Sequence, residues 1–147
     1  MSNINVQPEF KKFKINQIRP SRYNPRVITP EALEGLARSI SKFGCVEPII
    51  VNIRDGANRI VGGHQRFKVL KAAKIEEIVC VIVNLCDSDE QLLNLSLNNP
   101  HLQGKFIEQL TEHIDQLREQ IADDTDFINL RINILKDQFD LPEKTGL

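Results

Sequence analysis

The sequence predicts a domain of mixed strands and helices followed by a helical extension, and three stretches carry that reading. Residues 58–61 carry β-branched side chains, Gly62 and Gly63 break the run, and from His64 onward Phe67, Val69, Leu70 and Ala73 recur at helical spacing. Residues 78–85 are almost continuously apolar, as in a strand buried on both faces at the core of a sheet. Phe106, Leu110, Ile114, Leu117 and Ile121 repeat every three or four positions, the texture of an amphipathic helix.

The remaining elements follow in chain order. Residues 1–9 are polar with little periodicity and read as a loose arm. Residues 10–18 alternate in part, with Phe13, Ile15 and Ile18 as the apolar positions of a first strand that ends at Arg19-Pro20, since proline restricts the residue before it. The same restriction makes Tyr23-Asn24-Pro25-Arg26 a loop. Thr29-Pro30-Glu31 starts a helix with a capping hydroxyl, a proline whose fixed φ suits the first helical position, and an acid at the positive end of the dipole. Leu33, Leu36, Ala37 and Ile40 form its apolar face, and Gly44 closes it. Residues 45–52 are a β-rich run with Pro48 near its start, and Asp55-Gly56 turns it into a hairpin with 58–61.

Asp87, Ser88, Asp89 and Glu90 then supply a cap and an acidic first turn to a helix whose Leu92, Leu93, Leu95 and Leu97 read as core, and Asn98-Asn99-Pro100 stops it. Two amphipathic helices follow, the second carrying Phe127, Leu130, Ile134 and Leu135, joined by the acidic turn at 123–126. Their apolar faces pack on the sheet domain, on each other, or on a second copy as a homodimer. The expected organisation is an arm (1–9), a domain (10–104), a helical extension (105–141) and a tail (142–147).

Composition narrows the function classes. At 147 residues, 41% hydrophobic and 27% charged, the chain has enough apolar material for one adequate core. A formal net charge of −1 gives no overall basic field for general DNA binding, so any nucleic-acid contact is local or made through a partner protein or fused domain. Cys45, Cys80 and Cys86 form no C-x-x-C pair and sit in or beside apolar runs, which reads as buried free thiols. No run is long and apolar enough to span a membrane, and a secretory signal is not evident, so a cytoplasmic protein with no membrane partner is expected. His101 and His113 have no companions at ligand spacing, so no metal site is expected from them.

The glycine pair is where chemistry concentrates. A strand that ends in two glycines before a helix lets a ligand approach bare backbone, and the helix start adds unpaired N–H groups and a positive dipole end. Such a turn suits phosphate, with Arg66 offering a fork of donors. The competing reading is a tight connection with His64 as the N-terminal polar residue and Arg66 in solvent.

Taken together, Asn24-Pro25-Arg26, the helix to Ile40, Phe43-Gly44, Val46-Glu47-Pro48-Ile49-Ile50-Val51, Ile60-Val61-Gly62-Gly63-His64-Gln65-Arg66 and Leu70 resemble the N-terminal domain of ParB in the ParB/sulfiredoxin superfamily. The resemblance covers about residues 10–99 and is closest to phage, mobile-element or DNA-methyltransferase-associated members. It implies an α+β fold, a small mixed sheet with packed helices, and a nucleoside triphosphate pocket for ATP or CTP with Mg2+. It assigns phosphate contacts to Gly62, Gly63 and Arg66. Gln65 stands where ParB has a second arginine, and Asn98 and Asn99 where ParB has a glutamate and an asparagine; these three, His64 and Arg26 complete the expected phosphate set. His64 stands where sulfiredoxin has its reactive cysteine and where kinase-like members have a histidine, which argues against sulfinic-acid reduction and keeps phosphoryl chemistry open.

Glu47 and His64 are the expected catalytic residues. Glu47 reads as a general base or metal ligand, or else as a loop carboxylate; His64 as a phosphate or base contact, or a helix-start polar residue. Arg26 either reaches the pocket or pairs with the domain's own helix. The function expected from the resemblance is nucleotide binding in a DNA-related process, with NTP hydrolysis or phosphoryl transfer. The alternative is a DNA-associated adaptor working through protein contacts of its C-terminal helices. Nuclease activity finds no acidic cluster at metal-ligand spacing. Residues 105–147 are too short for the helix-turn-helix and dimerisation domains that follow this region in ParB.

Overall fold

The computed structural model describes residues 3–24, 26–121 and 123–135. The first two residues of the expected arm, Pro25, Ala122, the end of the expected extension (136–141) and the expected tail (142–147) lie outside them. The chain divides by contact into two units, Met1–Ile28 with Cys45–Asn99, and Thr29–Gly44 with the residues from Pro100 onward.

The first unit holds a five-stranded mixed sheet, and the fold is α+β. Strands β1 (Glu9–Lys14), β2 (Arg19–Pro20), β3 (Ile49–Asn52), β4 (Arg59–Gly62) and β5 (Glu77–Val83) lie in the order β1-β5-β3-β4-β2. The β3–β4 hairpin is antiparallel, with Val51 opposite Ile60, and its loop is closed by the positive-φ residues Asp55, Gly56 and Asn58. β5 runs parallel to β3 and antiparallel to β1. Ile49, Val51, Ile60, Val61 and Cys80 fill the buried centre, covered by Phe67, Val69 and Leu70 of α2 (His64–Ala72) and by Phe13 and Ile18. Burying side chains of this size stabilises by about 1.5–3 kcal/mol each, so β3 and β4 hold the glycine turn on the best-packed part of the unit.

Several expectations need correction. The first strand does not run through 10–18: it stops at Lys14, where the Gln17 side chain accepts from the Lys14 amide and a 3-10 turn (Ile15–Gln17) intervenes. Arg19–Pro20 instead forms a separate short edge strand beside β4, where the missing proline donor does no harm. β5 is not buried on both faces, because Val79 is 53% exposed while Ile78 and Cys80 point inward. Only Cys80 of the thiols is buried, pushed up to about 11 by desolvation; Cys45 is exposed and Cys86 half-buried.

Helix α3 (Asp87–Leu97) reverses the expected facing. Leu92 and Leu95 are 64% and 59% exposed, Leu97 is partly exposed, and the buried positions are Glu90 and Asn94.

The second unit contains α1 (Pro30–Phe43), α4 (Leu110–Gln120) and α5 (Thr125–Asn129). Thr29 Oγ1 accepts from the Ala32 amide at 3.1 Å, and Gly44 ends α1 with its N–H on the Ile40 carbonyl. Among the described residues of this unit, Ile114 and Phe127 are the buried large apolar side chains, and Lys42 pairs with Asp126 at 2.7 Å. Phe106 precedes α4 rather than belonging to it, and Leu117 of the expected stripe is 39% exposed. The expected second amphipathic helix is broken: Arg131 has φ +61°, and a 3-10 turn (Ile132–Ile134) replaces the helix beyond it. No helix among the described residues is long and apolar enough to cross a membrane.

Candidate functional site

β4 delivers the chain to a turn at which Gly63 takes φ +91°, ψ +25°, the left-handed region where side chains are strained. A Cβ at Gly63 would stand 3.1 Å from Ile49 Cγ1, 3.2 Å from Ile49 Cα and 3.2 Å from Arg66 Nη2. The Ile49 backbone and the Arg66 guanidinium both press close on the turn. Gly63 is also the N-cap of α2 and supplies no side-chain acceptor, and no acidic residue lies in the first turn, so the helix's own residues do not neutralise its positive end.

Arg66 folds back over this turn. Its Nη1 donates to Glu47 Oε2 at 3.0 Å and its Nη2 to the Pro48 carbonyl at 3.4 Å, while Nε is buried without a partner among the described residues. The Glu47 side chain is 77% exposed. The ion pair itself therefore contributes little to stability, of order 0–1 kcal/mol. Both polar ends of the Gln65 amide are buried with no partner among the described residues, which leaves their donor and acceptor capacity unused.

His64 is buried and turned toward the Ser21 loop. Its Nε2 accepts from the Ser21 N–H at 3.3 Å and lies 3.0 Å from Ser21 Oγ. Burial, with Lys68 adding to it, holds its pKa below 6.5, so the ring is neutral with Nε2 as the acceptor.

Arg26 and Asn98 meet: Arg26 Nε donates to Asn98 Oδ1, and Asn98 Nδ2 donates back to the Asn94 carbonyl at 2.7 Å. Asn98 is the C-cap of α3, and half-buried Asn99 follows with its N–H on the Ser96 carbonyl. This corner adjoins the glycine turn, since a Cβ at Gly62 would stand 3.0 Å from Leu97 Cδ1. The predicted residues thus fall into two neighbouring groups, Glu47 with Gly62–Arg66, and Arg26 with Asn98.

Sequence reasoning missed the polar cluster beneath them. Glu90 is fully buried and accepts from Tyr23 Oη at 2.5 Å, Asn52 Nδ2 at 2.8 Å and Arg59 Nε at 3.1 Å. Burial alone would raise the Glu90 pKa, but these hydrogen bonds and the Arg59 charge hold it below the ordinary carboxylate value. Desolvation first, then the hydrogen bond to Glu90 and the Glu90 and Asp87 charges, push Tyr23 up to about 12 against the opposing Arg59 charge. Asn52 also exchanges hydrogen bonds with Leu85, and Asn94 Nδ2 donates to the Val61 carbonyl at 2.9 Å. A signal was present: Glu90, Asn94 and Asn98 are four residues apart and share one helix face.

The sequence pattern of the ParB N-terminal domain matches residues 2–99. The chain is 28% identical over 129 residues to a probable chromosome-partitioning protein ParB of Vibrio cholerae serotype O1, covering 82% of this chain and 44% of that protein. It therefore spans less than half the length of that curated relative. Among solved structures, the C-terminally truncated ParB of Caulobacter crescentus complexed with CTP-gamma-S superposes with a TM-score of 0.67 at 21% identity, over 83% of this chain and 70% of that one. Sulfiredoxin from Arabidopsis thaliana superposes with a TM-score of 0.50 at 21% identity, over 58% of this chain and 97% of that one. By its sequence pattern the chain belongs to the ParB N-terminal domain family, and it shares its fold with ParB and sulfiredoxin.

Proposed function

We propose that this domain binds a nucleoside triphosphate at the turn from Gly62 to Arg66 and serves a DNA-related process such as partition, transcription regulation or DNA modification. The observation that carries the reading is the uncapped glycine turn at the start of α2 with the Arg66 guanidinium folded over it. Amides of the first helical turn and Arg66 would take phosphate charge, and the buried Gln65 amide fits a polar ligand atom. The Caulobacter crescentus ParB complexed with CTP-gamma-S supports CTP as the first nucleotide to test, with ATP as the second.

An exposed carboxylate at the turn fits a hard cation held jointly with phosphate oxygens, so Glu47 is the residue suited to Mg2+. That cation would neutralise phosphate charge. If the nucleotide is turned over, Glu47 is also better placed than His64 to orient the attacking group, because the His64 acceptor nitrogen is already used by Ser21. Arg26, Asn98 and Asn99 would close the other side of the phosphates. DNA contact would come through a partner protein or a fused domain.

The test is isothermal titration of the chain with CTP, ATP and GTP, with and without Mg2+, beside an Arg66→Ala variant. Binding that weakens roughly ten- to a hundredfold in the variant is expected from the loss of charged hydrogen bonds. No heat from folded protein with any nucleotide refutes the reading. A second reading, an adaptor acting through protein contacts, is favoured by the exposed Leu92 and Leu95 of α3, and it gains if no nucleotide binds.

A further inference from the structure

Ser21, Tyr23 and Arg26 are each fastened to a helix. Ser21 meets His64 at the start of α2, Tyr23 meets Glu90 in the first half of α3, and Arg26 meets Asn98 at the end of α3. Glu90 and Asn98 are eight residues apart, about 12 Å along a helix, so Tyr23 and Arg26 hold α3 at two well-separated points. The Asn98 contact takes up Nε and orients the guanidinium plane of Arg26.

The middle fastening is costly to build. A fully buried carboxylate must recover its lost hydration from fixed partners, and Glu90 does so through Tyr23, Asn52 and Arg59. Apolar packing at such a position is often as stabilising as a buried ion pair, and α3 has leucines to spare on its exposed side. What the carboxylate adds is direction. Tyr23 lies three residues before Arg26, and its hydroxyl is aimed at one oxygen of a carboxylate that the sheet itself holds through Asn52 and Arg59.

We propose that Tyr23 and Glu90 are positioning residues for the phosphate site: their hydrogen bond fixes the loop on α3 and so sets where the Arg26 guanidinium stands. The proposal rests on the nucleotide-binding reading. Neither residue touches the ligand; both act through Arg26.

A double-mutant cycle on the full chain tests it, with Mg2+–CTP and Mg2+–ATP as the titrants and Tyr23→Phe, Arg26→Ala and the double variant as the proteins. Tyr23→Phe keeps the ring and removes only the hydroxyl, so the fold is retained, and thermal unfolding of each variant is recorded alongside. The expected result is a roughly three- to tenfold weaker affinity for Tyr23→Phe, with less than about a twofold further change when Arg26 is already alanine, as for residues in one network. Glu90→Gln, if folded, repeats the Tyr23→Phe loss. A merely structural role would lower the unfolding temperature while leaving the affinity of the folded protein unchanged, and that result overturns the proposal. Losses that multiply independently, or an Arg26→Ala variant that binds like the parent, also overturn it. If the parent chain and its Arg66→Ala variant both give no heat, the nucleotide-binding reading fails and the proposal falls with it.

Discussion

Replacing Gly63 by alanine isolates the physics of the turn. With φ +91°, an L-residue there carries a left-handed penalty of about 1–2 kcal/mol. The new methyl also meets Ile49 Cγ1 and Cα at 3.1 and 3.2 Å, and Ile49 is buried in the central strand β3, so it has nowhere to go. Overpacking against such a neighbour adds about 1–3 kcal/mol, for a total loss of about 2–5 kcal/mol. Gly62→Ala is the control. Gly62 has no positive φ, and the atom nearest its added methyl is the end of the Leu97 side chain at 3.0 Å, which is partly exposed and can swing away. Urea unfolding followed by tyrosine fluorescence reads both, because Tyr23 is the chain's one tyrosine and there is no tryptophan. With a slope of about 2 kcal/mol/M, the Gly63→Ala midpoint falls by roughly 1–2.5 M. A loss under about 1 kcal/mol, or one equal to that of Gly62→Ala, refutes the claim that backbone close to the turn and strain within it make glycine obligatory.

Two further outcomes are expected. Glu47→Gln frees the Arg66 fork from its internal carboxylate, so nucleotide without Mg2+ binds roughly two- to fivefold tighter while stability moves by less than about 1 kcal/mol; titration showing unchanged or weaker metal-free binding would contradict this. For His64, the folded-state pKa lies below the unfolded value of 6.5, so the unfolded chain binds more protons between the two. The stabilisation is complete above 6.5 and is lost as pH falls through that value toward the folded pKa. Urea midpoints measured from about pH 7 down to about pH 5.5 should therefore fall, and His64→Ala should flatten the slope; a parent protein with no change over that range rules out the buried neutral ring.

What the sequence revealed follows the range of the forces involved. Thr29-Pro30-Glu31, the Asp55-Gly56 turn and the strand–glycine–helix unit at 58–73 were legible because caps, turns and left-handed glycines are settled by a few adjacent residues. The break after Lys14 depended on the Gln17 side chain reaching back to an amide, and the placing of Arg19–Pro20 beside β4 on strand pairing forty residues away, neither of which periodicity encodes. The helix at 87–97 was found but faced the wrong way, because hydropathy weighs four leucines above one glutamate and one asparagine whose partners lie on β3, β4 and the Tyr23 loop. At the candidate site the residue types were readable, but the folding back of Arg66 onto Glu47 and the turning of His64 toward Ser21 are tertiary facts.

The facing of α3 has a consequence for how uniquely the domain is folded. A helix seated by leucines can roll about its axis and exchange one apolar contact for another at little cost, and α3 carries enough leucine on its outer side to settle in a rolled position. Its buried carboxylate and amide forbid that. Turning the helix by one residue, about 100°, would carry Glu90 and Asn94 off Arg59, Asn52 and the Val61 carbonyl together, leaving several buried groups without partners at once. The polar contacts thus act as a key that fixes the angular setting of α3, and with it the direction in which Asn98 faces at the helix end.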